Sequence, residues 1–169
     1  AEALYGRDHA WVAPFVTRLA AAYRLLGDYA TAAELYQRAL KLRADSLHLG
    51  NPENLPLLAE LAGFLFAAER TAEALPLARR ALEIAERAYG PDNRASAESR
   101  LQLASILEAL GQHDEARRET DRAVAAMARH GDDPLRANAL LNRANLNLGT
   151  DRGSANNPDA ALDDLRQAL

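Results

Sequence analysis

The sequence predicts an all-α chain of stacked helix pairs, and three observations carry that prediction. A set of positions recurs at a fixed interval. Gly27, Tyr29, Ala32, Tyr36, Ala39 and Leu40 return 42 residues later as Glu69, Thr71, Ala74, Ala78, Ala81 and Leu82. After a further 42 residues they return as Gly111, His113, Ala116, Thr120, Ala123 and Val124, and a fourth copy sets Ala161, Ala168 and Leu169 45 residues beyond Ala116, Ala123 and Val124. A period in the range of about 20–50 residues marks a solenoid, in which each unit buries its apolar face against the next. Composition is the second observation. Hydrophobic residues make up 49% of the chain but aromatic residues only 5%. Alanine and leucine supply the rest, both strong helix formers, while β-branched residues are scarce. The third is punctuation. Gly50-Asn51-Pro52, Gly90-Pro91-Asp92 and Gly131-Asp132-Asp133-Pro134 each pair a glycine stop with a proline start, the asymmetry of a helix end followed by a helix beginning.

Taken in order, the units span about 9–50, 51–90, 91–131 and 132–169 of a single array. Residues 1–5 read as the tail of a preceding second helix, and Leu169 falls inside a helix, so the chain is expected to be part of a longer protein. In the first unit Val16, Leu19, Ala20, Tyr23 and Leu26 fall at helical spacing and Gly27 stops the helix. Gly27 and Gly111 suit a position with φ > 0, where a side chain costs roughly 1 kcal/mol. The second helix carries Ala32, Leu35, Tyr36, Ala39, Leu40 and Arg43, with Asp28 in this unit and Thr71 in the next as candidate caps. Pro14 and Pro56, 42 residues apart, share one slot in the first turn of a helix, where the missing N–H is harmless. Pro76 lies about one turn into its helix and is expected to bend it slightly. Asn157-Pro158-Asp159 restarts the last helix, after a polar loop over 149–157 that is about five residues longer than the matching turn. That loop reads as a surface insertion rather than a functional element.

Charge and composition exclude several classes. With 20 basic against 24 acidic residues, a net charge of −4 and a pI near 5.6, the chain lacks the basic balance of a nucleic-acid binder. It has no cysteine, so disulfides and thiolate metal sites are impossible. Its longest apolar run, Leu55–Ala68, is interrupted by Glu60 and falls short of the ~18–20 residues that cross a bilayer. No membrane association and a cytoplasmic location are expected. Nineteen of the basic residues are arginine and one, Lys41, is lysine, a bias that together with the alanine content points to a bacterial genome.

A small residue at the helix crossing (Ala20, Ala62, Ala104, Ala144), an alanine early in the second helix (Ala32, Ala74, Ala116, Ala161) and another near its end (Ala39, Ala81, Ala123, Ala168) resemble the tetratricopeptide repeat. The segments GRDHAWVA and GPDNRASAE and the 42-residue period are similar to the long-helix form found in kinesin light chains and many bacterial proteins. The sequence departs from the family pattern at Glu69, where glycine is usual, at Thr120, where a large aromatic residue is usual, and in the inserted loop. The resemblance implies a right-handed α-α superhelix of about three and a half to four helix pairs that binds a protein or peptide and is not an enzyme.

It also implies that the first helix of each pair lines a concave face. The register then turns inward Thr17, Arg18, Ala21 and Arg24; Glu60, Gly63 and Phe66; Gln102, Ser105 and Glu108; and Asn138, Asn142 and Asn145. The asparagines share one helix face at i, i+4 and i+7 and offer both donors and acceptors to the main chain of an extended peptide; the plain alternative is a solvated polar face. Arg18 and Arg24 can pair with acidic groups of a ligand or with neighbouring side chains, and Phe66 is either an anchor in the groove or a rim residue of the core. Lys41 lies on a second helix, so the lysine–asparagine clamp by which some family members hold a chaperone's carboxylate terminus is not expected. Trp11 is expected to plug the core at the end of the array rather than to anchor a ligand. Self-association through apolar helix faces is the competing role, as an oligomerisation or spacer element.

Catalytic and cofactor signals are missing. His9, His48, His113 and His130 are scattered, and His113 fits packing and capping at a helix start. Asp132-Asp133 and Asp163-Asp164 lie near helix starts, where the helix dipole favours acidic groups. No glycine-rich phosphate loop or nucleophile elbow is present, and neither metal nor cofactor is expected.

Overall fold

The computed structural model describes residues 10–46, 51–128, 134–148 and 157–168, and among them it contains eight α-helices and no strand. They are α1 (Ala13–Leu25), α2 (Tyr29–Ser46), α3 (Leu55–Ala67), α4 (Thr71–Tyr89), α5 (Arg94–Ala109), α6 (His113–Met127), α7 (Pro134–Leu148) and α8 (Pro158–Ala168). Short 3₁₀ turns, Ala10–Val12 and Pro52–Asn54, lead into α1 and α3. The expectations for residues 1–5, for the loop before Asn157, for Leu169 and for His9, His48 and His130 lie outside the described residues.

Helix boundaries follow local chemistry. Asp28 caps α2: its carboxylate accepts from the Thr31 N–H at 3.1 Å and the Thr31 hydroxyl at 2.8 Å. Asn93 Oδ1 accepts from the Ala95 N–H at 2.9 Å and Asn157 Oδ1 from the Ala160 N–H at 3.1 Å, so α5 and α8 are capped the same way. Thr71 is not a cap. It is the first helical residue, and the Arg70 carbonyl takes the N–H groups of Glu73 and Ala74. Pro14 and Pro56 sit in the first turns of α1 and α3 as expected, and α4 continues through Pro76.

Three helices end in one hydrogen-bond pattern. Gly27 N–H donates to the Arg24 carbonyl and Asp28 N–H to the Tyr23 carbonyl; Glu69 and Arg70 repeat this on Phe66 and Leu65, and Gly111 and Gln112 on Glu108 and Leu107. This is a Schellman closure, which needs a left-handed residue after the helix. Gly27 has φ +79°, Gly111 +72° and Glu69 +60°.

The chain divides into two compact units, Ala1–Ile84 and Ala85–Leu169, with the boundary inside α4. In the first, α1 packs on α2 and α2 on α3, and Leu58 of α3 meets Ala81 and Ile84 of α4, with Leu40, Leu55 and Leu77 around them. In the second, Ala97 and Leu101 of α5 join Ala123, Val124, Ala126 and Met127 of α6 and Leu135, Ala139 and Leu140 of α7, with Ala168 of α8 packed against them. The alanine framework occupies the crossings: Ala20, Ala32, Ala39, Ala62, Ala74, Ala81, Ala116, Ala123 and Ala144 are all 0% exposed. A methyl group at a crossing lets helix axes approach to roughly 8–10 Å.

Buried charge in the second unit is paired. Arg100 donates to Glu119 at 2.6 Å and to Glu86, tying α4, α5 and α6 together, and Arg122 reaches the other oxygen of Glu119 at 2.9 Å. Arg143 of α7 grips Asp164 of α8 with two N–H groups, at 2.9 and 2.5 Å. That pairing raises the guanidinium's affinity for its proton further. Trp11 departs from expectation. It is 69% exposed and plugs no core among the described residues, because Val12 and Ala13 of the same turn supply the buried contacts instead.

Candidate functional site

Each unit carries a cleft in the same register, floored by a second helix and walled by the first helices on either side of it. In the first unit the cleft measures about 400 Å³ and is bounded by Arg24 of α1, Tyr29 and Tyr36 of α2, and Ala59, Glu60, Gly63, Phe64 and Ala67 of α3. Its floor is aromatic. Tyr36 is 1% exposed, and its ring lies 5.9 Å from that of Phe64, which in turn meets Tyr29 edge-on at 5.4 Å. Glu60 and Arg24 line the same cleft as Tyr36 and are the charged groups that act on its hydroxyl. Burial, followed by the Glu60 carboxylate, pushes this phenol above its ordinary pKa, with Arg24 opposing.

In the second unit the cleft is smaller, about 220 Å³, and is lined by Ala104, Ser105 and Glu108 of α5, Thr120 of α6, and Asn142, Asn145 and Leu146 of α7. The alanine register equates Arg24 with Glu108, Tyr36 with Thr120, Glu60 with Asn142, Gly63 with Asn145 and Phe64 with Leu146. Asn145 stands in place of Gly63. Thr120 in place of Tyr36 removes the ring from the floor, and its hydroxyl turns back to the Ala116 carbonyl at 2.9 Å. Glu108 Oε1 meets His113 Nδ1 at 3.0 Å. Its other oxygen, Oε2, is closed off from solvent and accepts no hydrogen bond among the described residues.

Of the residues the sequence turned inward, the structure gathers Arg24, Glu60 and Gly63 in one cleft and Ser105, Glu108, Asn142 and Asn145 in the other. Arg18 and Asn138 are exposed and Gln102 is half-buried, and none of the three lines a cleft. Thr17 is half-buried with its hydroxyl on the Ala13 carbonyl at 2.9 Å. Phe66 is half-buried outside the cleft, on the rim of the core, and Phe64 stands in its place. Sequence reasoning missed the second-helix contribution of Tyr36 and Thr120. The signal was present, since the two fall at one position of the 42-residue repeat.

No group of three or more metal-ligating side chains comes together among the described residues, and no described helix is long and apolar enough to cross a membrane. Two family models, both described as tetratricopeptide repeat, match residues 15–46 and 55–129, together more than half of the chain. No curated protein matches it. Among solved structures, BtubC (BKLC) from P. vanneervenii is similar at 20% identity and a TM-score of 0.83, over 93% of this chain and 61% of that one. This chain thus spans less than two thirds of that protein's length. A putative kinesin light chain from Podosopora anserina, with nearly identical TPR-like repeats, aligns at 23% identity and a TM-score of 0.81, over 96% of this chain and 77% of the other. MamA from Desulfovibrio magneticus RS-1 aligns at 18% identity and a TM-score of 0.67, covering 96% and 75%. At such identities the likeness is one of fold, and it agrees with the helix pairs, the alanine crossings and the glycine closures: the chain belongs to the tetratricopeptide repeat proteins, with repeats like those of kinesin light chains.

Proposed function

We propose that this chain is a non-catalytic binding module that holds an extended peptide, or a segment of a partner domain, in a cleft between two first helices of one unit. The fold is that of protein–protein interaction scaffolds in general. The specific reading is carried by one observation: Ser105, Glu108, Asn142 and Asn145, from two helices far apart in sequence, line a single cleft. Asparagine amides there can donate to and accept from a peptide main chain without demanding charge. Selection of peptides from a random display library tests this, with affinities compared between wild type and Asn142→Ala/Asn145→Ala. Each lost hydrogen bond is expected to weaken binding about fivefold. Equal affinities for the two proteins would remove the groove reading.

A second reading, self-association, has its own observation. Trp11, Phe15, Leu19 and Leu26 are 69%, 59%, 49% and 79% exposed, and Trp11, Phe15 and Leu19 follow each other at i+4 spacing along one face. Sedimentation over a range of concentrations checks it with wild type and Phe15→Glu. A mass that does not rise with concentration would end this reading.

A further inference from the structure

We infer that a separate groove of the first unit, between α2 and α4, binds the alkyl chain of a medium-chain carboxylate, with the carboxylate on Lys41. This groove shares no lining residue with the clefts above, so the inference stands apart from the peptide reading. Comparison with the second unit shows what is missing from it. There the matching helices are clasped together. Arg143 of α7 holds Asp164 of α8 at 2.5 Å and reaches Asp121 of α6 at 3.6 Å, and the Asn147 amide donates to Asp164 at 3.4 Å. The alanine register puts Gln37, Leu61, Leu65 and Leu77 at the positions of Asp121, Arg143, Asn147 and Asp164. Three leucines and a glutamine cannot form such a clasp, and in its place the first unit has a groove of about 360 Å³ lined by these four residues together with Leu40.

Size and chemistry favour an alkyl chain over a peptide. Leu61 and Leu65 of α3 are buried, and Leu40 of α2 and Leu77 of α4 are half-buried. A peptide main chain would find few partners here. Pro76, which also lines the groove, has no N–H, and the amides within a helix already bond to one another. One turn of a docked helix, a cylinder ~10 Å across and ~5.4 Å long, displaces about 420 Å³, more than the groove holds. An alkyl chain has no polar group to satisfy. A cavity of roughly 150 Å³ accommodates benzene, about 25 Å³ per carbon, so some ~10–14 carbons match this groove. The rim decides the head group. Glu73 is held by Arg70 through two hydrogen bonds of 2.8 Å, so its charge is compensated. Lys41 is exposed, and its ammonium makes no hydrogen bond or ion pair among the described residues. A carboxylate at the end of the chain supplies that cation with both a countercharge and an acceptor for its N–H groups.

The probe is decanoate, with hexanoate as its short counterpart and decylamine as its counterpart of opposite charge. Each is titrated below its micelle concentration into methyl-labelled full chain and followed by NMR. Saturable shifts of the Leu40 and Leu77 methyl groups are expected, with decanoate binding about tenfold tighter than hexanoate because four further methylenes are partly buried. Decanoate should also bind about fivefold tighter than decylamine, and Lys41→Glu should reverse that order. No saturable shift at Leu40 and Leu77 overturns the inference, as do shifts centred instead on the exposed Phe15 and Leu19 of α1. An unchanged head-group preference in folded Lys41→Glu overturns it too. If that variant does not fold, equal affinity for decanoate and decylamine in wild type has the same force. The peptide reading is decided separately, by the affinities of the asparagine variants.

Discussion

Replacing Glu69 with glycine should stabilise the protein. Glu69 closes α3 with φ +60°, a conformation that Gly27 and Gly111 adopt at the equivalent ends of α1 and α5. The closing hydrogen bonds are the same in all three, at 2.8–3.1 Å, so the closures differ chiefly in whether a Cβ is present. A left-handed L-residue costs about 1–2 kcal/mol. Glycine gives back about 0.4–1 kcal/mol through the greater freedom of the unfolded chain. The net expectation is a gain of about 0.5–1 kcal/mol, or roughly 1–4 °C in melting temperature for a chain of this size. Glu69 is exposed, and its side chain makes no hydrogen bond or ion pair among the described residues that the change would remove. Gly27→Ala and Gly111→Ala provide the reverse experiment. A Cβ built at either position meets nothing within 4 Å, so their cost isolates backbone strain from steric clash. Differential scanning calorimetry and urea midpoints should show Glu69→Gly rising, Glu69→Ala nearly unchanged, and both glycine variants falling by about 1 kcal/mol. A drop for Glu69→Gly, or an equal rise for Glu69→Ala, would refute the strain argument.

Three further outcomes are expected. Ala81→Leu, at a crossing that is 0% exposed, should overpack by about 1–3 kcal/mol, whereas Ala72→Leu on the exposed face of the same helix should leave the melting temperature nearly unmoved; equal shifts would discredit the register. Arg100→Ala strips Glu119, itself 10% exposed, of its buried partner and should cost about 3–5 kcal/mol by chemical denaturation. A loss below about 1 kcal/mol would mean that Arg122 and water suffice. Tyr36 provides an alkaline test. The folded phenol holds its proton more tightly than the unfolded one, so stability is intact below the ordinary tyrosine pKa of ~10 and falls as pH rises through the raised value. Melting curves from about pH 9 to 11 should decline more steeply for wild type than for Tyr36→Phe, and parallel declines would contradict the assignment.

Much of the fold could be read from residue order. The alanines at fixed spacing are the buried crossing residues because only a small side chain permits close approach, so the packing constraint is written directly into composition. Asp28, Asn93 and Asn157 announce their helices because capping is a contact between near neighbours in the chain. Glu69 was legible only as a departure. The two hydrogen bonds that close α3 hold it left-handed in spite of its side chain. Trp11 misled because a large apolar residue need not be inside, and Val12 with Ala13 satisfied the core first.

By itself the sequence determined the helical class, the repeat length, the turn positions and the faces bearing Asn142, Asn145 and Arg24, since each follows from interactions within about one helical turn or from strict periodicity. Only the tertiary structure decided which of those faces open into a cleft. It brought Thr120 to the same cleft as Asn142 and Asn145, left Asn138 and Arg18 outside, buried Phe64 in preference to Phe66 and closed one oxygen of Glu108 off from water. A cleft is empty volume shared by several helices, and its shape depends on how the side chains of all of them divide the space.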